Sequence, residues 1–207
     1  MEDKFWNEKE VVNSFANRPC SKYITDEIDK ICLQNQISKV IDIGCGGGRY
    51  SKYIKEKNLE VFAVDKNSAM VDIVKECGID VLRCEMSNLK FKNDTFDLVL
   101  SIGVLHNAVS LEEYKAAIKE IYRIMKSNAH CIISVFTNSV ITDDLKFIGE
   151  SKYVFQNGRP PMILLSKDTI IEVFKEEGLE VYSIIDEHIT NVGTGERNVL
   201  SIHFIKR

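Results

Sequence analysis

The chain has 207 residues, of which 44% are hydrophobic and 28% are charged, and this composition is typical of one soluble globular domain. Its net charge of -4 weighs against a large nucleic-acid-binding face and against an anionic membrane surface as partners. No membrane-spanning run, signal peptide or metal-binding cysteine spacing is present, so we expect a cytoplasmic protein with reduced cysteines and no metal site.

Two helical segments are predicted ahead of Ser38, over residues 5–16 and 20–34, and the sequence NRP separates them. The first predicted strand follows these segments directly. We therefore expect residues 1–37 to form an N-terminal helical cap or lid, with residues 38–207 as the main domain.

From residue 38 onward, short runs rich in β-branched residues alternate with segments of helical length. Strands are expected over residues 39–43, 60–64, 80–84, 96–102 and 129–136, and helices over residues 49–57, 68–76 and 110–126. Because the strands are continuously apolar and helices stand between them, the pattern predicts a doubly wound, Rossmann-like α/β fold. Its parallel sheet would be covered by helices on both faces.

The end of the chain departs from this alternation. Residues 137–165 show no regular pattern, and we expect an insertion over the substrate pocket at the carboxyl edge of the sheet. A helix is predicted between Ser166 and Gly178. The last two strands, over residues 179–186 and 198–207, have too short a connection for a crossover helix. The expected sheet therefore has seven mostly parallel strands with an antiparallel edge strand.

The segment VIDIGCGGGRY places a glycine-rich turn directly after the first predicted strand, where helix N–H groups favour an anionic or electron-rich ligand. It lacks the GxxxxGK pattern of a P-loop. Arg49 stands where a dinucleotide-binding GxGxxG motif has its third glycine. The turn instead fits an acid-x-G-x-G-x-G pattern made by Asp42, Gly44, Gly46 and Gly48.

An acidic residue, Asp65, ends the second predicted strand. The carboxyl ends of neighbouring parallel strands meet at one edge of a sheet, so this carboxylate is expected beside the glycine turn. A carboxylate in that position can accept hydrogen bonds from both hydroxyls of a ribose. The turn and the acid together therefore indicate a ligand that contains a ribose.

Four segments stand in the order and at the spacing of known motifs, namely VIDIGCGGGRY, VFAVDKNSAM, RCEMSNLKFKNDTFDLVLSIGVLH and IYRIMKSNAHCIISVF. On these segments the chain resembles the class I S-adenosylmethionine-dependent methyltransferases, from about residue 38 to its end. Two turns depart from the family pattern. Lys90 replaces the proline of Leu-Pro-Phe, and residues 127–129 replace Pro-Gly-Gly, although Asn128 can supply the positive φ of a glycine.

The resemblance implies S-adenosylmethionine as cofactor and S-adenosylhomocysteine as product. Asp42 would orient the glycine turn or reach the ammonium group of the cofactor, Asp65 would hold the ribose, and Glu85 would accept from the adenine amino group. The remaining implied contacts are to the methionyl part by Gly44, Cys45, Gly46 and Ser101, to the ribose by Lys66, to the adenine by the amide of Met86, and to the carboxylate by Arg18.

The implied substrate pocket contains His106, Trp6 and Tyr23. His106 follows the fourth strand and would act as the catalytic base or would only shape the pocket. The two aromatic rings could face the positively charged sulfonium. No sequence feature supports a role for the other histidines, which are His130, His188 and His203.

The expected acceptor is a small molecule. The motif of enzymes that methylate exocyclic amines of nucleic-acid bases is absent, and no cysteine is placed for attack on a pyrimidine. VDKN, FQNGRPP and GERNVLSIHFIKR resemble the type 11, tellurite and thiol methyltransferase group. GRYSKYI and LSIGVLH resemble methyltransferases of modified wobble uridines in tRNA. A tRNA methyltransferase, or a cofactor-binding regulatory subunit without turnover, therefore stays open as an alternative.

Overall fold

The computed structural model describes residues 8–16, 18–155, 159–192 and 195–207. Trp6, which was expected in the substrate pocket, lies outside these residues. The helices are α1 (Lys9–Ala16), α2 (Lys22–Gln34), α3 (Arg49–Lys55), α4 (Ser68–Glu76), α5 (Leu111–Ile124) and α6 (Lys167–Glu176), with a 3-10 turn at Leu105–Asn107. The strands are β1 (Lys39–Ile43), β2 (Glu60–Asp65), β3 (Asp80–Arg83), β4 (Phe96–Ile102), β5 (Met125–Phe136), β6 (Leu145–Phe147), β7 (Lys152–Phe155), β8 (Met162–Ile163), β9 (Leu179–Asn191) and β10 (Glu196–Lys206).

Seven strands form the main sheet in the order β3-β2-β1-β4-β5-β10-β9. β10 runs antiparallel to β5 and to β9, whereas the pairs among the other strands are parallel. The predicted seven-stranded, mostly parallel α/β sheet is confirmed, and its reversed strand stands one position in from the edge. The hairpin is longer than predicted, because β9 continues to Asn191 and β10 begins at Glu196.

Apolar clusters cover both faces of this sheet. On one face, side chains of α5 and α6 such as Ile121 and Phe174 are fully buried. On the other, Ile54 of α3 packs beside Ile24 and Ile28 of α2, all at 0% exposure. α2 is therefore part of the core. The cap proposed for residues 1–37 reduces to α1 and the segment that joins it to α2.

The insertion over residues 137–165 contains a small antiparallel sheet of its own, in the order β6-β7-β8. Its strands have two to four residues, too few to show an alternating pattern in the sequence. Leu145, Met162 and Leu164 form its buried centre. None of the helices in the described part of the chain has the length and apolar composition needed to cross a membrane.

Residues 127–129, which replace the expected Pro-Gly-Gly, form an irregular turn within the first part of β5, and Asn128 adopts φ 61° there. The pairing of β4 with β5 shifts at the same point. Lys206, which is 8% exposed, fills the space beside this turn. Its ammonium donates to the carbonyls of Met125 and Tyr122 at 2.7 and 3.0 Å and to Asp94 at 2.9 Å.

Replacing Lys206 with methionine should therefore lower the free energy of unfolding by about 1–3 kcal/mol, because one buried and one partly buried carbonyl lose their donor. Urea unfolding followed by circular dichroism measures this. Arg207→Met is the matched control, since its ion pair with Glu180 is 60% and 66% exposed. That control should change stability by less than about 0.5 kcal/mol. Equal effects of the two variants would contradict the role given to Lys206.

Candidate functional site

A cavity of about 770 Å³ opens at the carboxyl ends of β1, β2, β4 and β5. The chain leaves β1 toward β2 on one side, while β4 pairs with β1 on the other side. In open α/β sheets, ligands bind at the point where the strand order reverses in this way. The observed cavity therefore lies where the fold itself favours a binding site.

The glycine-rich turn forms one wall of this cavity. Gly44, Gly46 and Gly48 have φ values of 65°, 52° and 75°, which side chains disfavour. A Cβ on Gly44 would lie 2.7 Å from the Cβ of Val104 and closer still to its Cγ2. Gly44 was expected to let a ligand approach the backbone. The contact with Val104 gives a second reason for glycine that does not depend on a ligand.

Asp42 lies at the end of β1 and is 2% exposed. Its Oδ2 accepts hydrogen bonds from the backbone N–H of Ser51 at 3.1 Å and from the Ser51 hydroxyl at 2.6 Å. Burial raises the pKa of this carboxyl to about 6. Asp42 therefore holds the first turn of α3, which follows the glycine turn, in place. Its contact with a ligand ammonium stays a prediction.

Asp65 joins the glycine turn to the start of α4. Its Oδ2 accepts from the N–H of Gly46 and its Oδ1 from the N–H of Asn67, both at 2.9 Å. Burial raises the pKa of this carboxyl above its usual value. Each oxygen of a carboxylate has a second lone pair. Asp65 also lines the cavity, so it can accept hydrogen bonds from ligand hydroxyls while holding the turn.

Most of the other expected cofactor residues line the same cavity, namely Arg18, Cys45, Lys66, Glu85 and Met86. Ser101 differs, because it is fully buried and is not among the described residues that line the cavity. Its neighbours Ile102 and Gly103 take that place. Burial raises the pKa of the Cys45 thiol well above its usual range, so Cys45 is a poor nucleophile.

The N-terminal segment is tied to the glycine turn. The backbone N–H of Ser21 donates to the Tyr50 hydroxyl at 3.1 Å, and the Arg49 guanidinium donates to the carbonyl of Pro19 at 3.0 Å. Arg49, which excluded a dinucleotide motif, thus anchors this segment. Arg18 and Tyr23 are brought to the cavity wall by the same connection.

His106 lines the cavity from the 3-10 turn and is 4% exposed. Its Nδ1 accepts a hydrogen bond from the N–H of Phe136 at 3.3 Å. In the neutral ring the proton is then on Nε2, which makes that atom a donor. Burial lowers the pKa of His106 to about 3. Both features argue against His106 as a general base and favour it as a hydrogen-bond donor that shapes the pocket.

His188 also lines the cavity, although no sequence feature supported a role for it. Its Nδ1 lies 2.5 Å from Oδ2 of Asp186, two residues earlier on β9. The ring of Tyr23 meets it edge to face at 5.7 Å between ring centroids. The sequence missed His188 because the strand before it was predicted to end at residue 186. The available signal was the spacing of Asp186 and His188, because residues two positions apart on a strand share a face.

Residues of the insertion also line the cavity, namely Phe155, Arg159, Pro160 and Met162. The insertion is tied to one end of the sheet, because Thr137 bridges Leu165 directly after β5 and the Arg197 guanidinium of β10 lies 5.7 Å from the ring centroid of Phe155. Phe136 of β5 and Val199 of β10 line the cavity at this end, which we call the aromatic part. Asp42, Asp65 and Glu85 lie on β1, on β2 and just after β3, toward the other end of the strand order, which we call the carboxylate-lined part. The two parts differ enough in chemistry to hold two different ligand groups.

Comparison with known proteins finds one family model that matches part of this chain. Residues 41–133 match the family described as "Methyltransferase domain". The chain is 34% identical over 99 residues to "Probable tRNA methyltransferase 9B" of Mus musculus. This alignment covers 48% of this chain and 22% of that protein. The chain thus spans about a fifth of the length of this curated relative.

Solved structures share the fold over most of the chain. A SAM-dependent methyltransferase from Methanosarcina mazei aligns with a TM-score of 0.75 at 16% identity, covering 91% of this chain and 99% of that one. The 1,6-didemethyltoxoflavin-N1-methyltransferase of Burkholderia thailandensis, with bound S-adenosylhomocysteine, aligns with a TM-score of 0.65 at 18% identity. That alignment covers 98% of this chain and 80% of the other.

Proposed function

We propose that the chain is a class I S-adenosylmethionine-dependent methyltransferase and that it transfers a methyl group from S-adenosylmethionine to a small-molecule acceptor. The observation that carries this proposal is that the carboxylate-lined part and the aromatic part belong to one cavity. Its volume of about 770 Å³ lies within the usual range for small-molecule sites. Six unpaired cysteines fit a reducing compartment, so we place the protein in the cytoplasm.

The carboxylate-lined part suits S-adenosylmethionine. Asp65 offers acceptor oxygens for the ribose hydroxyls, and Glu85 offers an acceptor for the adenine amino group. Gly103 has φ 79°, and no heavy atom lies within 4 Å of the position that a Cβ would occupy. A ligand can therefore approach the backbone at Gly103. The residues present therefore fit this cofactor, whose sulfonium supplies an activated methyl group.

The aromatic part would orient the acceptor. Methyl transfer is an in-line displacement, so the protein contributes mainly alignment and the exclusion of water. Phe136 and Phe155 provide flat apolar walls, and the Nε2–H of His106 donates to the acceptor. These groups select for shape and for one acceptor atom without forming a bond to it.

α1 would close over this arrangement. Glu10, Val11 and Ser14 of α1 line the cavity, whereas α2 belongs to the core. Deleting residues 1–16 should therefore leave a folded chain that still binds cofactor, while methyl transfer falls at least about 100-fold because alignment is lost. A thermal melt, calorimetric cofactor binding and a turnover assay on the deletion variant measure the three quantities. Full turnover would contradict closure by α1.

An acceptor screen tests the proposed function. The chain would be incubated with S-adenosylmethionine labelled in the methyl group and with thiophenol, benzoate, phenol or benzylamine, which share one ring and differ in the acceptor atom. We expect label in one of these compounds and none without protein. Cofactor binding without transfer to any acceptor would instead indicate a regulatory subunit.

A second candidate is methylation of a modified uridine in tRNA. A relative named as a tRNA methyltransferase favours it, so the expectation that nucleic acid is not a partner is unsupported. The match covers 48% of this chain and 22% of that protein, so it leaves more than half of this chain unmatched. Bulk tRNA therefore belongs in the acceptor screen. Label in tRNA alone would replace the small-molecule proposal.

A further inference from the structure

Three strands place a row of side chains across the aromatic part of the cavity. His188 of β9 pairs with Val199 of β10, and Val199 pairs with Phe136 of β5. Directly paired residues project from the same face of a sheet. All three line the cavity. His106 extends the row, because its ring stacks on Phe136 with 4.2 Å between ring centroids.

A carboxylate on the same strand orients the first member of this row. Asp186 and His188 are two residues apart on β9, so their side chains share a face of the sheet. The 2.5 Å contact between Nδ1 and Oδ2 makes Nδ1 the protonated nitrogen of the neutral ring. Nε2 then carries a lone pair.

The two imidazoles of the cavity therefore have opposite tautomers. His106 presents a donor, because its Nδ1 already accepts from the N–H of Phe136. His188 presents an acceptor, because its Nδ1 donates to Asp186. Only the second arrangement can receive a proton at Nε2, and the carboxylate behind it stabilises the imidazolium that results.

We propose that His188, oriented by Asp186, is the general base that deprotonates the methyl acceptor. This inference rests on the proposed methyl transfer. The acceptor atom bonds to the methyl carbon as the methyl–sulfur bond breaks, and the electron pair of that bond stays on sulfur. His188 takes the acceptor proton on Nε2, so the positive charge of the sulfonium ends on the imidazolium.

The groups around His188 decide its pH response. Asp186 on β9 is the carboxylate in contact with it, Tyr23 of α2 meets its ring, and its β10 partner Val199 does not titrate. Glu10 and Arg18 line the same cavity from the N-terminal segment. A general base acts in its unprotonated form, so turnover with a proton-bearing acceptor should rise with pH to a plateau.

The test compares phenol, which must lose a proton, with benzoate, which is already ionised. His188→Gln should lower kcat with phenol by about 10²–10⁴-fold, the usual contribution of a general base, and remove the rising limb of the pH profile. Transfer to benzoate should be unchanged. Asp186→Asn should lower kcat with phenol by a smaller factor than His188→Gln does. The matched control is Ile189→Gln, whose side chain is 59% exposed on the opposite face of β9.

Equal losses with phenol and benzoate, or none with phenol, would overturn the role of His188. Long-range proton–nitrogen spectra of ¹⁵N-labelled protein give a second measurement that needs no acceptor. They should show the neutral His188 ring protonated on Nδ1, and protonation on Nε2 would overturn the proposal. If no probe is methylated while S-adenosylmethionine binds, the proposed function fails, and the spectra still decide the tautomer on which the base depends.

Discussion

Replacing Asp65 with alanine should weaken the binding of S-adenosylmethionine by at least about tenfold, and by about 100-fold if both ribose contacts are lost. Hydrogen bonds to a charged group contribute about 1.5–3 kcal/mol each, and about 1.4 kcal/mol corresponds to a tenfold change in dissociation constant. The variant also removes the acceptor that holds the N–H of Gly46 at 2.9 Å. The glycine turn would therefore lose its position at the same time as the ribose loses its anchor.

Isothermal titration calorimetry with S-adenosylmethionine and with S-adenosylhomocysteine measures this effect. Asp65→Asn should be intermediate, because the amide keeps one oxygen for Gly46 and replaces the other acceptor with a donor. Asp72→Ala is the matched control, since Asp72 is exposed on α4. An unchanged dissociation constant for Asp65→Ala would show that the ribose lies elsewhere.

Replacing Gly44 with alanine should lower the free energy of unfolding by about 2–5 kcal/mol. Alanine at φ 65° costs about 1–2 kcal/mol, and forcing a methyl group against Val104 adds about 1–3 kcal/mol of overpacking. Relief of the clash would move the turn or Val104, and both line the cavity. Cofactor binding should therefore weaken together with stability.

Two further variants separate the causes. Val104→Ala combined with Gly44→Ala should recover the part of the loss that comes from the clash and leave the part that comes from φ. Gly103→Ala is the matched control, because Gly103 has φ 79° and nothing within 4 Å of a Cβ. It should cost only about 1–2 kcal/mol in urea unfolding. If Gly44→Ala costs no more than Gly103→Ala, the contact with Val104 is not what requires glycine at residue 44.

The sequence by itself determined the order of the elements and the cofactor end of the site. Strand and helix periodicities are local, so the alternation from β1 to β5 could be predicted from short segments, and so could the glycine turn. Asp42 and Asp65 end neighbouring parallel strands, and this topology alone brings them to one edge of the sheet. The expected reversed strand also followed from the short connection before β10.

Only the tertiary structure supports the proposal for the acceptor end of the site. The base proposed at His188 depends on a row across β9, β10 and β5, and pairing between strands far apart in the chain leaves no mark in any one segment. The donor state of His106 depends on the N–H of Phe136, and the need for glycine at residue 44 depends on Val104. The hydrophobic pattern within one segment predicts which face of that element is buried and where the element ends. Contacts between elements decide which hydrogen bonds each side chain can make.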